Sequence, residues 1–290
     1  MNYFFVNADQ NKYAIYYSVY SIPDIFALLN WNEMLGRIDD RKCFFVLDCE
    51  KIIGGFTLTG NELCYIFTVP PFSDRTLLWK HILKYASDNC VGKEIVLKFI
   101  PEEDKVILTD GFNAKIICTE RRMLRPTEKI SVKPPDNFYF TIPDENDKQE
   151  IIQTVYEAHA AGYTSTVWQP DKNEIKEAIN RRYDSFTQTK TLYMSTLVKY
   201  NGSNEIAGVC IAGIYPDSMN NFSTIHQVSV RPQFRRLGIA ESMMLNSINK
   251  ASSVSPVITL GVMVGNPAEL LYNKIGFFGG LKYSELSYMG

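Results

Sequence analysis

At 290 residues, with 46% hydrophobic and 13% aromatic side chains, the chain holds enough apolar matter for two packed domains and is not disordered in composition. Its 30 basic and 32 acidic residues leave a formal charge of -2, which argues against a broad basic face for nucleic acid. The six cysteines sit mostly in apolar runs without close metal-ligand spacing, and no charged leader or membrane-length apolar segment is visible. The expectation is a soluble cytoplasmic protein that uses no metal, membrane or nucleic acid.

In chain order, Ser21–Leu35 has a helical pattern, and Lys42–Asp48, Lys51–Thr59 and Glu62–Val69 alternate as strands. A helix at Arg75–Asn89, a strand at Glu94–Ile100 and a helix closing on Gly111-Phe112 follow. Residues 126–137, with Pro126, Pro134 and Pro135 among charges of no helical period, read as a linker between domains at 1–125 and 138–290. Beyond it the pattern gives a strand at Phe138–Ile142 and helices at Asp147–Ala161 and Asp171–Arg182. Strands at Thr191–Tyr200 and Glu205–Tyr215 flank the turn Asn201–Asn204. A strand at Phe222–Val230, a helix at Ile239–Ser252, a strand at Val257–Val264, a helix at Pro267–Ile275 and a strand near Phe277–Tyr288 complete the order. The two halves repeat this order with an offset of roughly 160 residues, which points to duplication.

Two segments carry the chemistry. Val230-Arg231-Pro232-Gln233-Phe234-Arg235-Arg236-Leu237-Gly238-Ile239-Ala240 breaks a strand at proline and enters a helix through small residues. There, backbone N–H groups and the helix dipole favour a bulky anion. Asn266-Pro267-Ala268-Glu269-Leu270-Leu271-Tyr272-Asn273-Lys274-Ile275-Gly276-Phe277 starts a helix at Asn266 and stops it at Gly276. The first copy lacks the glycine turn: Ser73-Asp74-Arg75 stands there, and a carboxylate near a phosphate has the wrong sign.

Together, and with the apolar strand between them, these segments resemble the GNAT superfamily of acyl-CoA-dependent N-acyltransferases, in a tandem form with a degenerate N-terminal copy. The resemblance implies two domains of α/β class, each a mixed, mostly antiparallel central sheet flanked by helices. It implies that Val228, Ser229 and Val230 offer backbone groups to the pantetheine arm and thioester of acetyl-CoA. Arg235, Arg236, Leu237, Gly238, Ile239 and Ala240 would hold the pyrophosphate, with Asn266 also at the cofactor. Tyr272 would give the departing thiolate its proton.

The implied reaction is direct attack by a primary amine of a small molecule or peptide. A lysine-like amine costs about 4–5 kcal/mol to deprotonate at neutral pH, so a proton acceptor is needed. His226 lies on the strand where the family commonly places one; it is either a cleft base or a core histidine. Tyr163 and Trp168, with Asp171, form either an acceptor wall or a packed lid, and His159, at the end of the preceding helix, either lines the substrate or is a histidine stabilised by the helix C-terminus without a catalytic role. The first domain is expected to brace the second and line one side of the acceptor cleft. A monomer or a homodimer is compatible with this arrangement. The alternative function is an acetyl-CoA sensor that binds without turnover.

Overall fold

The computed structural model describes residues 3–21, 31–72, 74–90, 92–162, 170–216 and 221–290. Chain contacts divide it into two units, Met1–Arg121 with Gly280–Gly290, and Arg122–Gly279. The expected domains differ from these units in two places. The last eleven residues count with the first unit, and 122–137 counts with the second. Residues 127–137 have no helix or strand, yet the Thr127 amide donates to Pro256 O (2.9 Å) and the Ile130 amide to Asn249 Oδ1 (3.0 Å). Hydrogen bonds therefore fasten this proline-rich stretch to the second unit.

Unit 1 begins with β1 (Phe4–Asn7), α1 (Gln10–Tyr20), α2 (Trp31–Arg37), β2 (Lys42–Asp48), β3 (Lys51–Thr59) and β4 (Glu62–Thr68). It continues through α3 (Arg75–Asn89), β5 (Glu94–Pro101) and α4 (Glu102–Phe112) into β6 (Lys115–Pro126). Strands β1 to β5 are neighbours in chain order, all antiparallel except the β4–β5 pair. The far end of the chain, β12 (Phe278–Met289), pairs antiparallel with β5 from Tyr283↔Pro101 to Met289↔Glu94.

Helix α1 is absent from the sequence expectation, which put a helix at Ser21–Leu35; α2 covers part of that span, and 22–30 fall outside the described residues. The segment Tyr13–Tyr20 is rich in aromatic and β-branched residues, which locally favour strand. Tertiary packing overrides that preference. Asp9 caps the helix through the Lys12 amide, Tyr13 is fully buried, and Tyr13 and Tyr16 pack on Phe45.

Unit 2 holds β7 (Phe138–Thr141), α5 (Lys148–Ala160), α6 (Lys172–Gln188), β8 (Thr196–Tyr200), β9 (Ile206–Gly213), β10 (Ser223–Val230), α7 (Ile239–Ala251), β11 (Val257–Met263) and α8 (Ala268–Lys274). Its strands order as β11-β10-β9-β8-β7, with only β10 and β11 parallel. Every residue of β9 is buried, so that strand is apolar on both faces rather than alternating. One face packs α7 and α8 through Cys210, Met243, Met244 and Tyr272; the other packs α5 and α6 through Val209, Ile211, Ile179 and Phe186. The expected strand at Thr191–Tyr200 opens instead with a 3-10 turn at Leu192–Met194. Both units have the expected architecture, a mixed and mostly antiparallel sheet with flanking helices.

Candidate active site

The site grows out of a separation between two strands. Strands β10 and β11 pair from Ser223↔Ile258 to Ile225↔Leu260 and no further, whereas β10 stays paired to β9 as far as Val230↔Gly208. The β10–β9 register shifts between Ile225 and Gln227, a bulge that falls on His226. Val228, Ser229 and Val230 thus lie past the last β11 pair, with one edge of their backbone released from the sheet.

The chain then passes a single turn at Pro232–Phe234 and enters α7 through Gly238, at φ +78°. No side chain caps the helix, and a Cβ built on Gly238 would meet nothing within 4 Å. The first-turn amides are therefore left without a side-chain acceptor, with open space beside Gly238, as a bulky anion requires. Arg236 also has a left-handed backbone (φ +66°), and both it and Leu237 are exposed. Ile239 is buried and fixes the helix to β9; a Cβ on Gly208 would lie 2.7 Å from its Cγ2, so only glycine fits there. Ala240 is half-buried against the same core.

Arg235 is neither solvated nor turned to an anion. Its guanidinium donates to Ala161 O (2.7 Å), Ala158 O (2.9 Å) and Val230 O (3.3 Å), capping the end of α5. Beside it, Arg231 gathers Glu205 (3.1 Å), Glu157 (3.4 Å) and Glu150 (3.6 Å), and donates to Thr154 Oγ1 (3.1 Å). Glu205, just before β9, is thus committed. Arg231 went unrecognised; the available signal was Glu150, Thr154 and Glu157 on one face of a helix.

Tyr272, on α8, is 8% exposed, and its ring lies 6.3 Å from that of Phe277. Burial, reinforced by Cys210, pushes the phenol up to about 12, so it keeps its proton at neutral pH. Asn266 uses its carboxamide oxygen to accept from the Ala268 amide (3.0 Å) at the start of α8.

Two histidines stand on the α5–α6 face. The Nε2 of His226 bonds the Tyr215 hydroxyl, with the two rings 4.9 Å apart edge to face. Burial first, then the charges of Arg182 and Arg122, push its pKa down to about 3, so the ring is neutral and a poor proton acceptor. His159, near the end of α5, is also pushed down by burial. Its Nε2 lies 3.4 Å from Gln227 Nε2, and Gln227 in turn donates to Ser229 Oγ (2.9 Å). Tyr163 and Trp168 lie outside the described residues. Asp171 is a helix cap, accepting from the Asn173 and Glu174 amides at the start of α6. Among the described residues no group of three or more His, Cys, Asp or Glu could hold a metal, and no helix is long and apolar enough to cross a membrane.

Residues 150–277 match the family model of the acetyltransferase (GNAT) family. The fold extends over both units. A GCN5-related N-acetyltransferase from Sphaerobacter thermophilus is similar at TM-score 0.72 and 14% identity, over 99% of this chain and 95% of that one. A tandem GNAT protein from the clavulanic acid biosynthesis pathway is similar at TM-score 0.63 and 8% identity, over 99% and 98%. A GNAT-family acetyltransferase from Colwellia psychrerythraea is similar at TM-score 0.60 and 12% identity, over the whole of both chains. At these identities the likeness is one of fold. No curated protein matches the sequence.

Proposed function

We propose that unit 2 transfers an acetyl group from acetyl-CoA to a primary amine of a small molecule or peptide by direct attack. The observation that carries this is the uncapped start of α7 at Gly238, open to an anion and continuous in sequence with the released edge of β10. Amides of residues 238–241 hold the pyrophosphate, with Arg235, Arg236 and Leu237 shaping the turn. Val228–Val230 align the pantetheine arm and polarise the carbonyl. Asn266 secures the start of α8 so that Tyr272 reaches the sulfur. Unit 1 binds no acyl-CoA.

Acetyl-CoA supplies an activated acyl carbon. The amine loses a proton and attacks that carbon; the new C–N bond forms as the C–S bond breaks. Tyr272 donates its proton to the departing sulfur and recovers one from the nitrogen, so an ammonium acceptor yields amide, thiol and one released proton. His159 takes the proton from the ammonium group, because His226 is both weakly basic and occupied by Tyr215. His226 positions the acceptor.

Calorimetric titration with acetyl-CoA, followed by thiol release over a panel of amines, tests the proposal. Binding and turnover support it. Binding without turnover of any amine would favour a sensor instead, and no binding would remove both.

A further inference from the structure

Helix α6 carries an unneutralised cation, Arg182, one turn before Phe186, whose ring packs on Tyr215 and His226. Arg182 is half-buried; its Nε is sealed from water with no hydrogen-bond partner, and among the described residues no carboxylate pairs with it. A guanidinium in that position is costly, since burial removes its hydration and nothing replaces it. The cost shows in its pKa, which burial lowers, with Arg181 adding to the effect and Tyr215 opposing it. Arg181 is exposed and lies 3.8 Å from Glu177, so its own charge is answered.

The charges that act on Tyr215 and His226 are those of arginines. Tyr215 feels Arg182, Arg181 and Arg122, and His226 feels Arg182 and Arg122. Phe186 closes the apolar side, with its ring 5.4 Å from Tyr215 and 6.1 Å from His226. His226 itself sits on the β10 bulge, two to three residues before Val228 and Ser229. At about 3.3 Å per residue, that is roughly 7–10 Å from the proposed point of transfer, the reach of a short amino acid.

We propose that Arg182, with the Tyr215 hydroxyl and His226, binds a carboxylate on the acceptor, so that the acceptor is an amino acid or a similar acidic amine rather than a polyamine. This rests on the acyl-transfer proposal for the same site. Arg182 is paired only when the acceptor is bound, and its planar fork suits a carboxylate. A diamine would instead bring a second positive charge towards Arg182.

The test compares α-, β- and γ-amino acids with their own carboxamides, and with putrescine, by thiol release from acetyl-CoA. The full chain is used as wild type, Arg182→Ala and Arg182→Lys, with thermal melting to verify folding. Each acid should exceed its amide in kcat/KM, by about 10- to 100-fold for the best-fitting length. Arg182→Ala should erase that advantage while leaving the amide rates within about threefold, and Arg182→Lys should restore part of it. Equal rates for acids and amides, preference for putrescine, or an equal loss for both in Arg182→Ala would overturn the inference. Calorimetry with glutarate, which has no amine to react, separates this result from the reaction itself. If no acceptor turns over, glutarate binding that disappears in Arg182→Ala still supports the anion site. No glutarate binding to wild type would then overturn it.

Discussion

The two units treat the same helix start in opposite ways. In unit 2, α7 begins at Gly238 with its first amides uncapped. In unit 1, α3 begins at Asp74, whose carboxylate accepts from the Leu77 amide (2.9 Å), and the next residue, Arg75, is held bidentate by the buried Asp104 (2.5 and 2.7 Å). The strand gaps differ in the same sense. Strands β4 and β5 pair only at Glu62↔Val96 and Leu63↔Leu97, and two positions on, Tyr65 and Phe99 stack with centroids 5.2 Å apart. At the corresponding place, unit 2 has Gln227 and Val262. Unit 1 thus meets with its own side chains the needs that unit 2 leaves without a side-chain partner. The comparison teaches that duplication preserves a fold more easily than it preserves an uncapped helix start, because unpaired donors lower stability unless function retains them.

The largest expected effect is at Gly238. Gly238→Asp puts a carboxylate where the phosphates would lie and should weaken acetyl-CoA binding on the order of a hundredfold or more by calorimetry. Gly238→Ala shares the left-handed strain, about 1–2 kcal/mol in melting, without the charge, and should retain much more affinity. Equal losses in the two variants would make the contrast between units one of backbone shape alone.

Next is Tyr272→Phe, which should lower kcat about a hundredfold with KM nearly unchanged, measured by thiol release. An unchanged kcat would remove the phenol from the reaction.

His226 makes the comparison sensitive to pH. Its folded pKa, about 3, lies below the ordinary histidine value of 6.5. Below pH 6.5 the unfolded chain takes up the proton first, so stability present above that pH falls by about 1.4 kcal/mol per unit down to pH 3. His226→Gln should flatten the denaturant midpoint of unit 2 between pH 6 and 4; an unchanged slope would assign the acid sensitivity elsewhere. The smallest effect belongs to Asp74→Ala, which should cost unit 1 about 1 kcal/mol in chemical unfolding and leave acetyl-CoA affinity untouched. A change in that affinity would mean that unit 1 takes part in binding.

Much of the fold could be read from the sequence because its signals are local. Gly238, Pro267 and Gly276 mark turns and helix ends by backbone chemistry, and the buried run Ile206–Gly213 announces a central strand. Helix α1 was hidden because its tyrosines are held by partners far along the chain, Phe45 and Tyr65. The site was legible only as far as its backbone. Gly238 follows from the turn chemistry and the released edge of β10 from the family resemblance, whereas the fate of each charge depends on contacts between distant elements. Arg235 and Arg236 look alike in sequence; one caps α5 and the other is exposed. Arg182 and Tyr215 stand in no motif at all.

Strand β12 has a consequence for how the molecule is made. It completes the sheet of unit 1 by pairing with β5, yet nearly all of unit 2 is translated between them. At 5–20 residues per second, β5 waits on the order of ten to forty seconds on the ribosome before its partner exists. Throughout that interval the edge of β5 that β12 will cover lacks this neighbour, a surface suited to chaperones or to the same strand of another nascent chain. The half of the protein made first is therefore the half finished last, and loss of residues 280–290 would injure the unit farther from them in sequence.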